Sequence, residues 1–153
     1  GLDDIAFLVA GHPGMTPRPI GKVASGGELS RISLAISVTT SELGTAPTLV
    51  FDEVDSGVGG AVAETVGRLM RQLGRDRQVL AVTHLPQVAA YADHHLMVSK
   101  RRNTAGTTST VTPVLGEHRV GEVARMLGGE RPTDTSLAHA SEMLSLANTL
   151  QKG

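Results

Sequence analysis

The chain has 153 residues, 40% hydrophobic and 19% charged, a balance that supports one folded domain with its own core. It contains no cysteine, which excludes a disulfide framework and thiolate-held metal, and its net charge of −1 gives no overall pull toward nucleic acid or membrane. No apolar run reaches membrane-spanning length and no secretory leader opens the sequence, so no membrane partner and a cytoplasmic location are expected.

Ile5 to Ala10 reads as a short strand, and Gly11 to Lys22, with Pro13, Pro17 and Pro19, as an ordered loop. Ser25, Gly26 and Gly27 then open a helix over 28–43 that carries Leu29, Ile32, Ile36 and Leu43 on one face. Glycines let backbone N–H groups approach a ligand, and a helix start adds unpaired donors, so this stretch suits a phosphate-sized anion. It equally suits a capping box, with Ser25 as N-cap and Glu28 three positions on. Thr48 to Phe51 reads as a strand buried on both faces, and 60–73 as a helix with Val62, Val66, Leu69, Met70 and Leu73 at helical spacing. Gln78 to Thr83 is a second buried strand and Pro86 to Tyr91 a short helix. His95 to Lys100 and Thr107 to Val114 are expected as strands around a polar loop over 101–106. Two helices close the chain, one marked by Val120, Val123, Ala124 and Leu127, the other over 134–150 with Leu137, Ala140, Leu144 and Leu150 buried. Strands alternating with helices predict an α/β fold, a mostly parallel sheet flanked by helices.

The polar residues of greatest interest fall at strand ends, where ligands gather in open α/β sheets. The Thr48–Phe51 strand runs into Asp52 and Glu53. Two adjacent carboxylates repel unless a cation is near, so the pair suits Mg²⁺ bridged to phosphate, Asp52 holding the metal and Glu53 polarising a water; a solvated turn is the plainer alternative. The second strand ends at His84, within reach of the same phosphate. Between them, Asp55 and the glycines 57, 59 and 60 form a turn in which Asp55 either caps the next helix or reaches a partner subunit. Arg68, Arg71 and Arg75, and the patch Lys100, Arg101 and Arg102, read as solvated surface charge, with phosphate binding as the alternative. With Phe7, Phe51 and Tyr91 as the only aromatic residues, a base-stacking platform is not expected.

The order of these pieces resembles the ATPase heads of the ABC superfamily: signature at Ser25-Gly26-Gly27-Glu28, Walker B at Asp52-Glu53, D-loop at Asp55, H-loop at His84. Transporter members usually place proline after the acidic pair; here Asp52-Glu53-Val54-Asp55 resembles the chromosome-maintenance (SMC-like) and DNA-repair branch, while Ser56-Gly57-Val58-Gly59-Gly60 departs from the alanine- and leucine-containing turn of most of its members and is similar to the RecN form. The segments 22–31, 83–89, Arg119-Val120 and 124–129 are similar to the RecN family of bacterial DNA repair proteins. The resemblance implies ATP and Mg²⁺ as cofactors, with Asp52 on the metal, Glu53 and His84 catalytic, and Ser25, Gly26, Gly27, Glu28 and Asp55 at the nucleotide across a head-to-tail dimer.

No Gly-x4-Gly-Lys-Ser/Thr loop occurs in the chain. With that absence, the resemblance implies that residues 1–153 are the C-terminal half of a head, lacking its Walker A lobe and coiled coil and inactive alone. Its expected partners are the Walker A lobe of its parent chain, a second head in a homodimer, and DNA at the nucleoid. A transporter subunit and a non-catalytic docking lobe are the competing readings.

Overall fold

The computed structural model describes residues 6–10, 13–23, 26–40, 46–52, 54–104, 106–129 and 131–149. Leu8–Val9 (β1) pairs antiparallel with Arg18–Pro19 (β2), followed by one helical turn, Ile20–Val23 (α1). The proline-rich stretch expected as loop thus contributes a strand. Proline is tolerated there because the ladder is two residues long and its edge is open. Gly26–Thr39 forms α2, and residues 41–45 lie outside the described residues.

Thr48–Phe51 (β3) and Gln78–Ala81 (β4) run parallel, Thr48 opposite Gln78 and Phe51 opposite Ala81. Gly60–Leu73 (α3) is the crossover between them. The ladder continues past β4 where the Val82 N–H donates to the Phe51 carbonyl at 3.0 Å. Side chains alternate across a sheet, and that alternation decides where the core lies. Leu49, Phe51 and Val79 face α2 and α3, packing with Leu34, Val54, Ala63, Val66, Met70, Leu73 and Val88. Val50, Leu80 and Val82 point the other way and are 67%, 46% and 64% exposed. The expectation that these strands are buried on both faces is therefore corrected: an unbroken apolar run shows that both faces are apolar, but not that both are covered.

The buried stripe of α3 is Ala63, Val66, Gly67, Met70 and Leu73, with Val62 exposed beside it. Gly74 closes the helix, its N–H bonded to the Met70 carbonyl. Pro86–Ala90 (α4) lies against α3, so closely that a Cβ on Gly67 would stand 2.8 Å from Cδ2 of Tyr91. The Tyr91 hydroxyl donates to Glu64 Oε1 at 3.0 Å.

His95–Asn103 (β5) and Gly106–Val114 (β6) form a nine-residue antiparallel ribbon. Arg101 to Asn103 are paired strand residues, not loop. Gly116–Gly128 (α5) and Asp134–Thr149 (α6) pack through Val123, Ala124 and Ala140, and Ala147 joins Ala90 and Tyr91. The Arg119 guanidinium locks α5 to the end of α4, donating to the carbonyls of Ala89, Ala90 and Ala92 at 3.2, 3.3 and 2.5 Å. Arg71 donates to the Ala147 carbonyl at 2.6 Å and pairs with Asp93 at 3.4 Å, so it ties helices together and is not solvated surface charge. Of the three described sheets only β3–β4 is parallel; the other two are antiparallel pairs.

Candidate functional site

Parallel pairing brings Asp52, after β3, and His84, three residues after β4, to the same end of the sheet. Asp52 is exposed there. The turn that follows has the Val58 N–H donating to the Asp55 carbonyl at 3.3 Å, with Gly57 at φ +70°, a left-handed conformation that favours glycine.

This turn pushes Asp55 inward, where it is 2% exposed. Its Oδ2 accepts from the Thr83 hydroxyl and from the His84 backbone N–H at 3.1 Å, and lies 3.5 Å from His84 Nδ1. Thr83 Oγ1 in turn accepts from the Leu85 N–H at 3.0 Å. One buried carboxylate thus holds the chain leaving β4 at Thr83 and His84, and Thr83 in turn holds Leu85, while the His84 side chain stays 74% exposed. A buried carboxylate is tolerable because donors converge on it. The capping reading of Asp55 is corrected: α3 begins at Gly60, its N-cap is Gly59, and no side chain caps it.

A second tie comes from α2. The Arg31 Nη1 donates to the Ser56 carbonyl at 2.7 Å, fastening the helix that opens with Gly26 and Gly27 to the turn that buries Asp55. Sequence reasoning singled out neither Arg31 nor Thr83 as a site residue. The available signals were a hydroxyl just before His84 at a strand end, and a cation one turn after the glycine pair.

Gly26, Gly27 and Glu28 lie in the first turn of α2, and Ser25 and Glu53 fall outside the described residues. Among the described residues no three His, Asp or Glu side chains cluster as a metal cage. The residues present fit a triphosphate with its cation: a carboxylate and an exposed imidazole stand at the carboxyl ends of adjacent parallel strands, beside a buried acid that orients one of them. Among the described residues no helix is long and apolar enough to cross a membrane.

No family model matches the chain. It is 50% identical over 147 residues to the DNA repair protein RecN of Streptomyces coelicolor, and 49% identical over 147 residues to that of Vibrio cholerae. It is 43% identical over 153 residues to that of Treponema pallidum. These matches cover 96%, 96% and 100% of this chain, but 26%, 26% and 27% of the relatives, so the chain spans about a quarter of their length. Among solved structures, the Smc head domain with coiled coil and joint derived from Pyrococcus yayanosii superposes with a TM-score of 0.56 at 22% identity. That match covers 94% of this chain and 26% of that one. A structure from work on ATP-driven dimerization and DNA-stimulated activation of SMC ATPases gives 0.55 at 22% identity, covering 82% of this chain and 83% of that one. These two likenesses establish the fold, the α/β lobe of an SMC-type head. Along almost its whole length, the chain is therefore similar, at an identity near one half, to a segment of the RecN DNA repair proteins.

Proposed function

We propose that the chain is the C-terminal part of an SMC-like ATPase head, and that its parent protein hydrolyses ATP to control engagement of DNA during double-strand-break repair. The observation that supports this most is the Asp52–Asp55–His84 arrangement: acid and imidazole at one sheet end, with the imidazole's backbone held by a buried carboxylate.

When bound, Mg·ATP supplies a cleavable phosphoanhydride and a cation that offsets phosphate charge. Asp52 holds Mg²⁺. Glu53 accepts a proton from the attacking water, and His84 donates toward the terminal phosphate. Asp55 serves the site through His84, setting where the imidazole stands. Ser25 and the N–H groups of Gly26 and Gly27, with Glu28 in the same segment, meet a phosphate held by a second head, so the homodimer closes around the nucleotide. The Walker A lobe of the parent chain supplies the remaining phosphate contacts and covers the face formed by Val50, Leu80 and Val82. The segment alone is then inactive, and the parent works in the cytoplasm at the nucleoid.

The test is Glu53→Gln in the full-length parent. Nucleotide binding should persist while turnover falls about 100-fold or more, the scale of a lost general base. Normal turnover would overturn the assignment.

A further inference from the structure

The β5–β6 ribbon has a charge pattern unlike the rest of the chain. Residues 95–114 include Lys100, Arg101 and Arg102 and no Asp or Glu, in a chain whose net charge is −1. The nearest carboxylates along the sequence, Asp93 and Glu117, flank the opposite, base end of the ribbon. Lys100 lies five residues up β5, about 16 Å from the base at the rise of a strand. That exceeds the screening length of about 10 Å at 0.1 M salt, so those acids do little to neutralise it. Among the described residues none of the three cations has an ion-pair partner.

The pairing register adds a second observation. Lys100 stands opposite Ser109, Arg101 opposite Thr108 and Arg102 opposite Thr107. Because strand side chains alternate, Lys100 and Arg102 share one face with Ser109 and Thr107, while Arg101 and Thr108 occupy the other. All six are exposed. The far end of the ribbon therefore presents cations and hydroxyls on both faces. A two-stranded ribbon fits the major groove of duplex DNA, and Lys, Arg, Ser and Thr are the side chains that meet phosphate oxygens on its walls.

We propose that this end of the ribbon is a DNA-backbone contact, binding duplex DNA without regard to sequence. The proposal rests on the DNA-engaging part of the function given above and assigns it a place, separate from the nucleotide site.

The experiment measures binding of the full-length parent to a labelled random-sequence DNA duplex across a salt series, without nucleotide. It compares the parent with K100Q/R101Q/R102Q and with R18Q/R75Q/R131Q, which removes equal charge from exposed positions elsewhere. Circular dichroism establishes that each variant is folded. The ribbon variant should lose affinity at least 10-fold, and its slope of log affinity against log salt should fall by about 2 to 3, three phosphate contacts' worth. The control should keep the parent's slope. If the parent itself fails to bind duplex, the DNA-engaging reading fails and takes this proposal with it. If the parent binds and the ribbon variant matches it, or the control loses as much, the ribbon assignment alone is overturned. Loss of RNA binding with DNA binding unchanged would overturn it as well.

Discussion

The Arg31 guanidinium reaches across from α2 to the Ser56 carbonyl at 2.7 Å, and so binds the first turns of one helix to the loop that enters another. Gly26 and Gly27 lie on one side of this bond and Asp55 on the other. This bond joins the helix that starts at the glycine pair to the loop whose Asp55 holds His84.

Arg31→Ala should loosen that loop while leaving the core intact. The bond is partly exposed, so its loss should cost about 1 kcal/mol. Hydrogen exchange should show faster amides over 54–58 and unchanged amides over 63–73. Unchanged exchange at 54–58 would show that the bond carries no load.

Asp55→Ala should be the more damaging change. It strands the Thr83 hydroxyl and the His84 N–H beside a position that is 2% exposed, a penalty of about 1 to 3 kcal/mol. His84→Ala removes only an exposed imidazole and should stay within about 0.5 kcal/mol of the parent chain. Urea unfolding of the two variants side by side checks the contrast; equal losses would contradict it.

Gly67→Ala should destabilise despite alanine's better helix propensity. The gain is about 1 kcal/mol. Against it stands a methyl 2.8 Å from the Tyr91 ring and 3.1 Å from the Gln87 carbonyl, which is backbone and cannot swing aside. Overpacking of this kind costs about 1 to 3 kcal/mol, so the net change should be a loss. Tyr91 is the single tyrosine of a chain without tryptophan, and its fluorescence should report a lower Tm.

Acid should weaken the chain through His95. Burial holds its pKa below the ordinary 6.5, and the nearby Arg119 charge adds to this, while Glu122 works in the opposite direction. The unfolded chain then binds the proton more readily than the folded one. The stabilisation is complete above pH 6.5 and is lost as pH falls through the window between 6.5 and the folded value. Urea midpoints should decline across that window, and His95→Gln should flatten the decline. Below it, Glu122 adds a second loss. The hydrogen bond from Arg125 keeps its carboxyl below 4.5, outweighing burial, and that stability goes as the group protonates.

The elements legible from sequence were those whose signals agree. Helix 60–73 was read to the residue because its apolar spacing runs between glycines 59–60 and Gly74. The positions of Asp52 and His84 at the same end of a parallel pair were legible because each follows a short apolar run. The far end of the ribbon was not, since Arg101 to Asn103 carry no apolar alternation to announce a strand. Nor was the inward turn of Asp55. A carboxylate beside glycines in a sequence gives no sign that Thr83, 28 residues on, will meet it.

The outer side of β3–β4 has a consequence for the life of the polypeptide before it reaches its working form. Three large aliphatic side chains open to water on a parallel pair invite whatever greasy surface arrives first. The segment produced by itself should therefore associate with itself as its concentration rises, and replacing Val50 and Val82 by threonine should suppress that association in light scattering.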